Sequence, residues 1–209
     1  MKKIYLPFFL FLSSLAIISC DEKKENETSD ENKYQHTDDA GFAYQTFKDD
    51  PTGLRLYTLD NGLKVYLGKN EEEPKIQTLI AVRAGSTYDP ADNTGLAHYL
   101  EHMVFKGTHK IGTQDWEKEK VLLDSISDLY EMHKAEKDEE KKLNLYKQID
   151  SVSQKASEYS IANEYDKMVA SLGAEGTNAF TSNEQTVYVN KIPSNELNKW
   201  LQVESERFS

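Results

Sequence analysis

From Gly53 onward the apolar residues recur with a period of two in some stretches and 3.6 in others, and the switches between them mark the elements. Leu54 to Leu59 and Leu63 to Leu67 flank Asp60-Asn61-Gly62, where Asn-Gly supplies the positive backbone angles of a tight turn; two antiparallel strands follow. Lys75 to Ser86 places Ile76, Thr78, Ile80 and Val82 on one face and Leu79 and Ala81 on the other, which predicts a central strand. Gly95 to Lys106 (GLAHYLEHMVFK) has Leu96, Leu100, Met103 and Val104 at helical spacing. Asp89-Pro90 and Asp92-Asn93-Thr94 offer turn and N-cap chemistry before that run, and Gly107 offers a stop after it. A helix of about three turns is predicted.

Asp115 to Ile161 is charged and helical in period, with Leu122, Ile126 and Leu129 in one stripe and Leu145, Ile149, Val152, Ala156 and Tyr159 in a second. The two stripes predict a helical hairpin whose bend, KAEKDEEKK, stays solvated. Gly173 and Gly176 bracket a turn, and Asn178 to Asn190 carries the aromatic and β-branched content of a strand. Pro193-Ser194 opens a last helix with the stripe Leu197, Leu201 and Phe208. The predicted class is α+β, an antiparallel sheet packed with helices.

The chain has 209 residues, 38% of them apolar, enough for a genuine core. Its 36 acidic against 25 basic side chains give a net charge of −11, which argues against nucleic acid as a partner. Residues 1–20 stand apart: Lys2 and Lys3 precede an apolar run too short and too interrupted to span a bilayer, the form of an export signal. Its end, Ser19-Cys20, resembles the lipobox of bacterial lipoproteins, in which Cys20 is lipidated and becomes the first mature residue; an ordinary secretory signal is the alternative. Cys20 is the one cysteine of the chain. Residues 21–50, which begin DEKKENETSDEN, are expected to form a flexible acidic tether, so that residues 51–209 stand off a membrane of the cell envelope.

HYLEH, residues 98–102, carries the chemistry. Residues four apart on a helix have Cβ atoms about 5–6 Å apart, so the imidazoles of His98 and His102 can converge on one ion. Glu101 shares their face and suits a general base beside the metal. Zinc lowers the pKa of its water to about 7, Glu101 takes the proton, and the same carboxyl later protonates the leaving amine. The bland competitor is the wet face of a helix. His36, His109 and His133 are read as solvated residues outside this arrangement.

HxxEH is the reverse of the HExxH zinc-protease pattern. GLAHYLEHMVFKGT, GAEGTNAFTSNEQTVYVN and LDNGLKVYL together resemble the N-terminal catalytic region of the pitrilysin and insulin-degrading enzyme family, bacterial processing-protease branch. The resemblance runs from about Gly53 to Ser209, with the hairpin at about 115–161 enlarged. It implies zinc as cofactor, His98 and His102 as ligands and Glu101 as base. It also implies a third ligand, a glutamate beyond Ser209 rather than Glu204 or Glu206, and a second homologous half or partner subunit that closes over the substrate. The strand matching Asn178 to Ser182 lies along the cleft in that family, which makes Asn178, Ala179 and Phe180 substrate contacts. The competing reading puts Phe180 in the core.

Two functions follow. One is a lipid-anchored zinc endopeptidase of which residues 51–209 form part of the catalytic domain, incomplete at its C-terminal side. The other is a non-catalytic envelope lipoprotein that binds peptides or partner subunits along its open strand.

Overall fold

Residues 33–47, expected to lie in the tether, are paired strands in the computed structural model, which describes residues 32–208. β1 (Lys33–Thr37) and β2 (Ala43–Phe47) run antiparallel. The turn between them is set by Asp38, whose carboxylate accepts from the backbone N–H groups of Ala40 and Phe42 at 3.0 and 2.9 Å. The expected signal, Cys20 and residues 21–31 of the expected tether lie outside the described residues. A weak apolar pattern hid the hairpin: both strands are short, β1 mostly exposed and β2 mostly half-buried, so no buried face imposes alternation.

β3 (Arg55–Thr58) and β4 (Lys64–Leu67) complete a four-stranded antiparallel sheet in the order β1-β2-β3-β4. Gly62 takes φ 85°, as the Asn-Gly signal requires, and its N–H donates to the Leu59 carbonyl at 2.8 Å. Leu56 is buried in this first unit, which ends at Asn70.

The second unit begins at Glu71 and holds a three-stranded antiparallel sheet, order β5-β7-β6, formed by β5 (Lys75–Val82), β6 (Glu175–Thr181) and β7 (Thr186–Pro193). Two expectations are corrected here. β5 is an edge strand and β7 the central one: Ile76, Thr78 and Ile80 turn inward, while Gln77, Leu79 and Ala81 are exposed. The run Asn178 to Asn190 is two strands, because Ser182 to Gln185 forms a tight turn closed by the Ser182 N–H to Gln185 carbonyl bond at 2.8 Å. Both strands are rich in β-branched and aromatic residues, so their composition alone does not reveal the break.

α1 (Leu96–Val104) carries HYLEH. α2 (Trp116–Ala135) and α3 (Glu139–Ser157) form the expected hairpin, with Asp115 and Asp138 capping the N-termini through their side chains. Ile149 and Ala156 are buried, and the rest of both stripes is half-buried. α4 (Glu164–Ser171), unforeseen in the sequence because it is two turns long and follows a left-handed Asn163, buries Tyr165 and Val169. α5 (Leu197–Arg207) buries Trp200, Val203, Glu204 and Arg207, whereas Leu201 and Phe208 of the anticipated stripe remain exposed. Ile111, Tyr165, Val169 and Val203 form the core beneath the sheet, with Phe105, Met168 and Ala174 against it. The class is α+β, antiparallel sheets with helices, as the periodicity indicated. No helix among the described residues is long and apolar enough to cross a membrane.

Candidate metal centre

The local sequence before α1 dictates how the helix starts. Gly95 sits at the N-cap with φ 89°, a left-handed position that also leaves the cap without a side chain. Asp89 serves instead: its two carboxylate oxygens accept from the backbone N–H of Gly95 at 2.7 Å and of Ala97 at 2.8 Å. Two of the orphan donors of the first turn are thus satisfied by a carboxylate, which also complements the positive end of the helix.

α1 then lies against β6 and β7 with an unexpected face inward. Glu101 is only 7% exposed, while Leu100, assigned to the apolar stripe, is 52% exposed, and Leu96 and Met103 are also exposed. The helix turns Glu101, rather than its leucines, toward the sheet. Burial of Glu101 is compensated by Thr181 on β6, whose hydroxyl donates to Glu101 Oε2. Beside it, Tyr188 of β7 is buried, and burial raises its phenol pKa, with Arg207 opposing the rise and the Glu101 carboxylate adding to it.

His98 and His102 project from the same side into solvent, their ring centroids 4.8 Å apart and their Nε2 atoms 3.1 Å apart. Ligand atoms of His98, Glu101 and His102 all lie within 4.8 Å of one another. Two Zn–N bonds near 2.0 Å at a tetrahedral angle need nitrogens about 3.3 Å apart, so the pair fits zinc without moving the backbone. Neither Glu204 nor Glu206 joins the cluster. Glu204 accepts a two-oxygen contact from Arg207 and the Tyr165 hydroxyl proton at 2.8 Å, and Glu206 accepts from Thr108 at 2.9 Å and Lys110 at 2.7 Å.

The C-terminal end of α1 is held by α5. The Arg207 side chain, 1% exposed, donates through Nε to the Val104 carbonyl at 3.3 Å and stacks over the Tyr165 ring at 3.6 Å. Asn190 of β7 donates to the Tyr165 hydroxyl at 3.2 Å, so helix, sheet and ion pair are joined in one buried network. Burial raises the Tyr165 phenol pKa well above its ordinary value, against the opposing effect of Arg207. Asp89 is one of the residues whose turn and N-cap chemistry the sequence offered before the helix, whereas sequence reasoning missed Thr181 and Arg207. Period-two alternation from Glu175 would have placed Thr177, Ala179 and Thr181 on one face, but nothing local pairs Arg207 with a carbonyl 103 residues away.

The expected substrate strand lies at an edge. Among the described residues β6 pairs with β7 on one side only, in the register Asn178 to Val189, Ala179 to Tyr188 and Phe180 to Val187. Asn178 is exposed, Ala179 half-buried, and Phe180 is 47% exposed, which removes the reading of Phe180 as a core residue. His36, His109 and His133 are engaged elsewhere: His36 bonds Thr46 at 2.9 Å, His109 lies 3.7 Å from Glu206, and His133 faces the Tyr146 ring.

Comparison with known proteins bears on the same segment. Residues 64–123, which include α1, match the family described as Insulinase (Peptidase family M16). The chain is 39% identical over 61 residues to an insulin-degrading enzyme homolog of Dictyostelium discoideum, a stretch covering 29% of this chain and 6% of that protein. It is 37% identical over 65 residues to a probable mitochondrial-processing peptidase subunit beta of Arabidopsis thaliana, 31% of this chain and 12% of the relative. Against the corresponding Schizosaccharomyces pombe subunit the identity is 50% over 54 residues, 24% of this chain and 11% of that one. The crystal structure of pitrilysin is similar over 85% of this chain and 13% of its own, with a TM-score of 0.48 and 18% sequence identity. These matched stretches span only about an eighth or less of each relative.

Proposed function

We propose that the chain is a member of the pitrilysin and insulinase family of peptidases and, as such, hydrolyses peptide bonds as part of a zinc-dependent endopeptidase. One observation carries the proposal: two imidazole Nε2 atoms at 3.1 Å, with the carboxylate of Glu101 in the same cluster. His98 and His102 would hold the metal, with a glutamate as the third protein ligand that the family resemblance implies. Zinc, when bound, supplies a Lewis acid that makes water acidic and polarises a carbonyl.

The chain's own residues account for the proton. Glu101 accepts it from the attacking water and returns it to the nitrogen of the departing amine. Its position on a helix braced by Asp89 at one end and Arg207 at the other keeps the carboxyl from wandering. An extended peptide adds to the free edge of β6 through backbone hydrogen bonds, with Asn178, Ala179 and Phe180 as its contacts. A second homologous half or partner subunit closes over that peptide. The names of the processing-peptidase relatives, which are subunits, support this part of the reading.

Localisation is part of the same proposal. The lipobox-like Ser19-Cys20 supports a protein exported and lipid-anchored to a membrane of the bacterial cell envelope. A free β6 edge also favours a second reading, an envelope lipoprotein that binds peptides or partner subunits without cutting them. Glu101→Gln separates the two. The endopeptidase reading expects the variant to keep its zinc and lose peptide cleavage. Cleavage at the wild-type rate by the Gln variant overturns the assignment of the base.

A further inference from the structure

We infer that Thr181 is the positioning residue of this site, the group that fixes which oxygen of Glu101 faces the chemistry; the inference rests on Glu101 being the base. The Thr181 hydroxyl has one proton and two neighbours: Glu101 Oε2, to which it donates, and Thr186 Oγ1 at 3.2 Å. Thr186 in turn donates its proton to the Ala84 carbonyl at 2.9 Å, an acceptor with no proton to return. Nothing in this row donates back to Thr181 once Thr186 is committed, so its proton goes to the acceptor that bears charge, the carboxylate. Glu101 Oε2 is thereby occupied by the strand. Oε1 accepts no hydrogen bond among the described residues and is the oxygen left to exchange a proton with water.

The scaffold under Thr181 is rigid. Thr181 and Thr186 are the final paired residues of β6 and β7, next to the turn that Ser182 and Gln185 close. That turn is clamped from behind: Ser86 and Thr87 donate their backbone N–H groups to the carbonyls of Ser182 and Asn183 at 3.0 and 2.9 Å. Gly85 packs so tightly there that a Cβ would overlap the backbone of Ser182 and lie 2.6 Å from Gln185 N. A hydroxyl on this framework holds its angle far better than one on a free loop. The base stands on α1 and its oxygen is oriented from β6, so this hydrogen bond ties the helix that carries His98 and His102 to the proposed peptide-binding edge.

Paired substitutions in the 209-residue chain distinguish orientation from packing. Thr181→Val keeps the shape and removes the hydroxyl, whereas Thr181→Ser keeps the hydroxyl and removes a methyl. The readout is ¹³C relaxation of the Glu101 side chain in metal-free protein, with circular dichroism reporting the fold. The order parameter is expected to fall from about 0.8 to below about 0.6 in Thr181→Val and to stay near wild type in Thr181→Ser. The same substitutions made in the complete zinc-loaded enzyme should lower kcat of peptide cleavage about tenfold for Val with KM unchanged, and less than about twofold for Ser. Glu101 as ordered in Thr181→Val as in wild type, or as mobile in Thr181→Ser as in Thr181→Val, overturns the assignment. Failure of the base assignment itself shows differently, as cleavage that survives Glu101→Gln while the relaxation result stands.

Discussion

His98 Nε2 and His102 Nε2 stand 3.1 Å apart, one helical turn from each other, although both side chains are exposed. Surface histidines gain nothing in stability by converging, because the same nitrogens could bond water at no entropic cost. The convergence follows from i,i+4 geometry on α1 and leaves each ring as half of a chelate.

Removal of either ring should therefore abolish the chelate without unfolding the protein. His98→Ala or His102→Ala is expected to weaken zinc binding at least about 100-fold while the melting temperature of the metal-free protein changes by less than about 2 °C. Titration calorimetry with zinc alone checks this. Equal affinity in the variants and in wild type would locate the metal elsewhere.

Asp89 acts on the same helix from outside it. Its carboxylate takes two N–H groups of the first turn, so Asp89→Ala should cost about 1 kcal/mol and fray α1 toward His98. Amide hydrogen exchange is the measurement: protection should drop at Gly95 and Ala97 first. Unchanged protection there would show that Gly95 closes the helix unaided.

Arg207 and Glu204 are a buried pair in which each partner is costly alone. Arg207→Ala leaves the Glu204 carboxylate with only the Tyr165 hydroxyl and exposes the Val104 carbonyl. A loss of roughly 3–5 kcal/mol is expected in urea unfolding, against a smaller loss for the double change Arg207→Met with Glu204→Gln, which removes both charges. A single variant that costs no more than the double one would mean that the aromatic stack on the guanidinium, not the ion pair, supplies the stability.

Glu206 should make stability depend on pH. The Lys110 ammonium, then the Thr108 hydroxyl, hold its carboxyl below the usual glutamate range. A carboxyl whose folded pKa is depressed stabilises the fold above its unfolded value, about 4.3, and that contribution is lost as pH falls through the lower folded value. The melting temperature of wild type should exceed that of Glu206→Gln by a constant margin above about pH 5, and the margin should shrink as pH falls below about 4. A margin that persists at about pH 2 would assign the effect to packing.

Features that depend on neighbours a few residues apart were legible in the sequence: the Asn61-Gly62 turn, the α2–α3 hairpin with its stripes, and the His98, Glu101, His102 face of α1. Helical period, turn chemistry and i,i+4 spacing are local properties, and they hold whatever the helix packs against. What long-range pairing imposes was not legible. β5 became an edge because β7 lies between it and β6, and the strand expected over Asn178 to Asn190 folds back at Ser182. Residues 33–47 pair although their short strands have no buried face to announce them.

The chain's own letters determined the donor set: two imidazoles and a carboxylate at fixed helical spacing, with the chemistry those groups can do. The tertiary structure decided which way that set faces. Packing against β6 buried Glu101 beneath Thr181 and left Leu100 in solvent, the reverse of what apolar periodicity alone implies. A hydrogen bond between residues 80 positions apart in the chain makes that orientation tolerable, because a carboxylate leaves water only where a donor waits for it.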